Sequence, residues 1–81
     1  MDKQNYDNII HYIKMLDTFI ECNKTINKAD DGSPNYINHN CNSIGNELDN
    51  HYWKTVTNSY DHDTNNIMYY LSRIKYKSKK L

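Results

Sequence analysis

Glycine occurs twice, proline once and alanine once in these 81 residues, and only two cysteines and two glutamates are present. So little glycine leaves no glycine-rich loop to cradle phosphates, and no nucleophile stands in a recognisable order with a histidine. A chain this short also struggles to enclose a pocket that perturbs a pKa usefully. Catalysis is therefore not expected. The cysteines form no Cys-x-x-Cys and the histidines no pair at i, i+4, so no zinc signature is present and neither a metal nor a cofactor is expected. The polar start Met1-Asp2-Lys3-Gln4-Asn5 leads into no uninterrupted apolar run, which argues against a secretory signal and a membrane span. The expected location is intracellular, in the cytoplasm.

What is abundant is asparagine, lysine, isoleucine and tyrosine, which together make about half of the chain. That bias usually accompanies AT-rich coding, as in many phages, viruses, parasites and low-GC bacteria. The formal net charge of zero argues against a general polyanion binder, yet the charge is unevenly placed. Residues 1–63 carry five basic and ten acidic side chains, a net of −5, whereas residues 64–81 carry five basic and no acidic ones, a net of +5.

Apolar residues recur at helical spacing from Tyr6 to Ile26, in two neighbouring seams. One is Tyr6, Ile9, Ile13, Leu16 and Ile20; the other is Tyr12, Met15, Phe19, Cys22 and Ile26. An apolar stripe of roughly 100° suits one packing neighbour, and these two seams span about twice that. Helix 1 should therefore be central, between two neighbours or at a dimer interface. Asp2 or Asn5 can cap it, with Asp7 in the first turn. The stretch Ala29-Asp30-Asp31-Gly32-Ser33-Pro34 stops it, and Ser33-Pro34 reads as N-cap and N1 of a second helix.

Helix 2 carries a narrow stripe of Ile37, Cys41, Ile44, Leu48 and Tyr52. Gly45 interrupts it at about 1 kcal/mol relative to alanine, a cost that close contact with helix 1 would explain while keeping the helix continuous. After Tyr60, Asp61-His62-Asp63-Thr64 supplies capping residues, and Ile67, Tyr70, Leu71 and Ile74 give a third, shorter stripe. Asp61, Asp63 and Asn65 also occupy the first, third and fifth ligand positions of a calcium loop. Asn66 stands where such a loop needs glycine and Ser72 where it needs glutamate, so an acidic helix cap explains them better. Past Ile74 the chain loses apolar support and should fray.

The expected fold is thus all-α: a small three-helix bundle, an antiparallel helical hairpin with a shorter third helix across it, with dimerisation as a further option. Residues 1–76 form its single domain and residues 77–81 a basic tail. Folding the hairpin about Asp31-Gly32 opposes residues whose numbers sum to about 63. This brings Cys22 level with Cys41 and His11 near His51. An intracellular setting favours two buried thiols over a bond, and the histidines read as scattered surface residues.

Trp53 points away from the helix 2 stripe, with Val56 and Tyr60 following at i+3 and i+7. Either helix 3 folds over this patch and makes it core, as a short chain has reason to do, or the aromatics anchor a partner. The favoured function is a non-catalytic protein that binds a protein partner, or a second copy of itself. Its concrete form is a phage- or virus-type inhibitor acting in the host cytoplasm, with Trp53, Val56 and Tyr60 supplying affinity and Asp49 and Glu47 orientation. The alternative is a nucleic-acid-binding module. Tyr69, Arg73 and Tyr76 share a face, and Lys75, Lys77, Lys79 and Lys80 surround it, a mixture that can stack bases and hold phosphates.

Overall fold

The computed structural model describes the backbone of residues 1–28 and 36–79 and, within these, the side chains other than those of residues 25–28 and 36–40. Three helices account for nearly all of it: α1 (Lys3–Lys28), α2 (Tyr36–Thr57) and α3 (His62–Ser78). They pack as a three-helix bundle of 46 × 17 × 16 Å in which every helix touches both others. α1 and α2 are antiparallel and α3 runs alongside α1, because the short link from Thr57 to His62 turns the chain straight back.

The caps follow from local chemistry. Asp2 opens α1, its carboxylate accepting from the Asn5 N–H at 2.8 Å. Asp7 consequently falls beyond the first turn, which holds no acid. Asn58 Nδ2 donates to the Lys54 carbonyl at 2.8 Å and satisfies one of the acceptors left at the end of α2. Asp61 caps α3, accepting from the Asp63 N–H at 3.1 Å and the Thr64 hydroxyl at 2.8 Å. The Ser33-Pro34 start expected for helix 2 lies outside the described residues.

In all three helices the buried positions alternate three and four residues apart. α1 buries Ile9, Tyr12, Leu16 and Phe19; α2 buries Cys41, Gly45, Leu48 and Thr55, with Tyr52 half-buried between, and Ser59 in the following link continues the spacing; α3 buries Thr64, Met68, Lys75 and Ser78, with Leu71 half-buried. This seven-residue repeat is the packing rule of left-handed coiled coils. It changes two expectations. α1 does lie between two neighbours, but its buried stripe takes members from both apolar seams, and Tyr6 and Ile13 remain exposed. On α3 the buried face is not Ile67–Tyr70–Ile74, all of which are exposed, but the stripe one position on, because that register brings Met68 against Tyr12, Leu16 and Leu48.

Gly45 sits within a continuous α2 at a close approach of the hairpin. A Cβ there would lie 3.1 Å from Phe19 Cε2, and Phe19 is buried. The helix tolerates a poor helix former because its backbone meets the ring. One turn nearer the helix ends, Cys22 and Cys41 form a disulfide with Cα atoms 5.8 Å apart. The hairpin register is the one the sequence implies, and the thiol state is not: the two sulfurs are bonded rather than separate. Nor does α3 lose its structure after Ile74. It continues to Ser78, with Lys75 laid across the Phe19 ring and Ser78 buried.

Candidate partner-binding surface

Asp49, Trp53, Val56 and Tyr60 follow one another at four, three and four residues, so the first three share a face of α2 and Tyr60 continues it into the turn. α3 does not fold over them. Trp53 is 64% exposed and Tyr60 is exposed completely, while Val56 is half-buried and packs on the core from its other side. The Trp53 ring is braced edge-on by Tyr52, with centroids 5.2 Å apart. That contact fixes an indole which would otherwise lose rotamer freedom on binding.

Asp49 serves the bundle first. Its Oδ1 accepts a 2.6 Å charge-assisted bond from Lys75 Nζ, the lysine being only 1% exposed and the aspartate side chain 42%. The other carboxylate oxygen has no hydrogen-bond partner among the described residues, and the partly exposed side chain stands one helical turn before Trp53. Glu47 does not join this group. It lies about 150° round the helix from the middle of that face, and with His11, Met15, Asn50, His51 and Lys54 it lines a hollow of about 250 Å³ between α1 and α2. The structure thus unites four of the five residues expected to meet a partner, and assigns Glu47 to another side.

The histidine pair sits at that hollow. The rings of His11 and His51 are 5.1 Å apart between centroids, and His51 Nε2 donates to the Asn8 carbonyl at 2.9 Å, since a carbonyl oxygen only accepts. Among the described residues no three histidine, cysteine, aspartate or glutamate side chains gather as metal ligands, and both sulfurs are committed to each other. Asn23 Nδ2 is buried, which shields the Asn23-Lys24-Thr25 sequon in the folded chain.

On the outer face of α3, Arg73 lies 5.9 Å from the Tyr69 ring centroid, and Lys79 lies 5.5 Å from that of the exposed Tyr76. Lys77 is exposed, and Lys80 lies outside the described residues. Lys75 has to be removed from the basic set. A buried ammonium held by Asp49 has no phosphate to offer itself to.

The chemistry that the sequence reading missed is this buried pair. Its signal was present in the three-four spacing of Thr64, Met68, Leu71, Lys75 and Ser78, which is obscured when only apolar residues are counted. Tyr12 also goes unnoticed as a site of strain. Its hydroxyl is buried without a hydrogen-bond partner among the described residues, and burial, followed by the nearby Asp49 charge, pushes the phenol well above its usual range. Among the described residues no helix is long and apolar enough to cross a membrane. Compared with protein-family models, curated proteins and solved structures, the chain finds no match.

Proposed function

We propose that this chain is a small non-catalytic protein that binds a protein partner through the outer face of α2, and that it acts as a phage- or virus-type inhibitor of a host protein. The observation that carries the reading is the exposure of Trp53 and Tyr60 beside Val56. A bundle with so few large apolar residues gains more by burying its single tryptophan than by displaying it. Trp and Tyr on one face are the residue types that concentrate binding energy, and the partly exposed carboxylate of Asp49 at the patch edge favours a target with a basic rim. The inhibitor form draws on the Asn-, Lys-, Ile- and Tyr-rich composition and the small size of the chain.

The test compares capture from host extract by the intact chain and by Trp53→Ala, with mass-spectrometric identification and thermal melts of both. Loss of the captured protein with a melting temperature within a degree or two of the parent's supports the reading. Equal capture by both chains, or a sharp fall in melting temperature, refutes it. The Tyr69–Arg73 and Tyr76–Lys79 contacts favour a second reading, DNA or RNA binding. In that case the captured species is nucleic acid, held with an affinity that falls steeply with salt.

A further inference from the structure

Asp63, Ile67, Tyr70, Ile74 and Lys77 recur every three or four residues and share one face of α3, about a quarter turn from its buried stripe and on the side toward α1. All five are exposed. Ile13 and Ile20 of α1 continue this face across a groove of about 390 Å³, which Leu16, Leu71 and Ile74 also line together with the charged Lys14 and Asp17. Positions that flank the core of two parallel helices normally carry paired charges. Here they carry isoleucine on both sides, and the apolar strip extends past what the bundle covers.

The ends of the α3 stripe identify what covers it. It opens with an acid and closes with a base, and neither Asp63 nor Lys77 has an ion-pair partner among the described residues. Read in the reverse direction, acid–Ile–Tyr–Ile–base becomes its own complement. Any foreign partner would have to supply that pattern; a second copy already holds it.

We propose that this face is the contact of a two-fold symmetric homodimer in which α3 lies antiparallel to α3 of the other copy. The axis passes at Tyr70, so Ile67 meets the partner's Ile74 and Asp63 pairs with the partner's Lys77. A stable interface usually buries about 800 Å² on each side, more than one helix stripe supplies. The partner's ridge therefore also seats in the α1–α3 groove, covering Ile13 and Ile20. Two-fold symmetry makes every contact twice, so one substitution removes two. Trp53 lies on the opposite flank of α3, which leaves the dimer with two free Trp53 surfaces.

Sedimentation equilibrium of the intact, disulfide-bonded chain tests this, and the expected mass is twice 9.7 kDa. Asp63→Lys sets lysine against the partner's Lys77 at both ends, and Lys77→Asp does the same with acids. Each alone should weaken association by about tenfold or more. Mixed in equal amounts they should recover the dimer, because the heterodimer has one native and one reversed pair. The mixing arm compensates for any effect on the helix ends, since each chain keeps its own. Tyr70→Lys, at an exposed mid-helix position, should also give monomer, with unchanged helical circular dichroism. Trp53→Ala should leave the mass unchanged, so failure here and failure of the partner-binding reading are told apart. A monomeric parent chain across the micromolar to millimolar range, single variants that associate as the parent does, or a mixture that stays monomeric would each overturn the proposal.

Discussion

The two ends of this bundle are closed by different means. At the end where α1 runs out, the Cys22–Cys41 disulfide ties the hairpin, and one turn inward Phe19 packs against Gly45 under the buried Lys75. At the other end no large apolar side chain is buried beyond Ile9; Thr55, Ser59 and Thr64 take those positions. Ser59 Oγ accepts from the Asp61 N–H at 3.2 Å and from Asn5 Nδ2 at 3.4 Å, and the Met1 ammonium stands 3.9 Å from Asp61. One end is held by a covalent bond and a short ion pair with a buried lysine, the other by a net of hydrogen bonds and a long, partly exposed ion pair. Net contributions of single hydrogen bonds are about 1 kcal/mol, whereas a crosslink closing a loop of this size is worth roughly 3. The ends should therefore differ in what it takes to open them.

Breaking the crosslink is the largest expected effect. Cys22 and Cys41 are 19 residues apart, and opening that loop in the double Cys→Ser variant should cost about 3 kcal/mol, a fall of roughly 10–20 °C in melting temperature for a domain of this size. Reduction of the parent chain should do the same. A fall of only a few degrees would show that Phe19, Leu16 and Leu48 close this end by packing alone, and the contrast between the ends would dissolve.

The ion pair comes next and separates two roles for Lys75. Asp49→Ala strips the buried ammonium of its partner. A sealed pair broken in this way costs about 3–5 kcal/mol, but Asp49 is 42% exposed and water reaches the site, so about 1–2 kcal/mol is expected. Lys75→Met keeps the stem that covers Phe19 and removes the charge, and should be neutral or slightly stabilising. Urea melts of the two variants and their combination decide it. If Lys75→Met proves the more damaging, the pair itself stabilises the fold and the lysine was not merely tolerated in the seam.

The sequence made the helices, the central place of α1 and the hairpin register legible, because each follows from local spacing and from the Asp-Gly-Ser-Pro break. It reached His11 beside His51 and Cys22 beside Cys41 through one folding rule. It did not reach the rotation of α3. A helix with Ile67, Tyr70, Leu71 and Ile74 offers its greasiest face by composition, but the bundle buries the stripe one position on, which has the same three-four spacing and places Met68 in the core cluster. That choice buries Lys75 and Thr64 and leaves two isoleucines out. The bond between the cysteines was hidden for another reason: spacing sets their proximity, whereas oxidation depends on surroundings that residues do not encode. Trp53 could be placed on a face but not called covered or bare until α3 had an orientation.

The smallest effect belongs to the polar end and depends on pH. The Asp61 carboxyl is held below its ordinary value of 3.8, chiefly by the Thr64 hydroxyl, with the Asp63 N–H and the terminal ammonium helping. A carboxyl with a depressed folded-state pKa binds its proton more weakly in the folded chain than in the unfolded one. Its stabilisation is therefore complete above about pH 4 to 5 and drains away as the pH falls through the lowered value. Asp61→Ala removes the cap of α3 together with that linkage, so its melting temperature should lie a few degrees below the parent's at pH 7. The gap should narrow steadily below pH 4, while the disulfide contribution, which does not titrate there, persists. A gap that stays constant from pH 7 to pH 2 would mean that the neutral acid caps as well as the carboxylate does. The polar end would then owe its closure to hydrogen-bond geometry and nothing to charge.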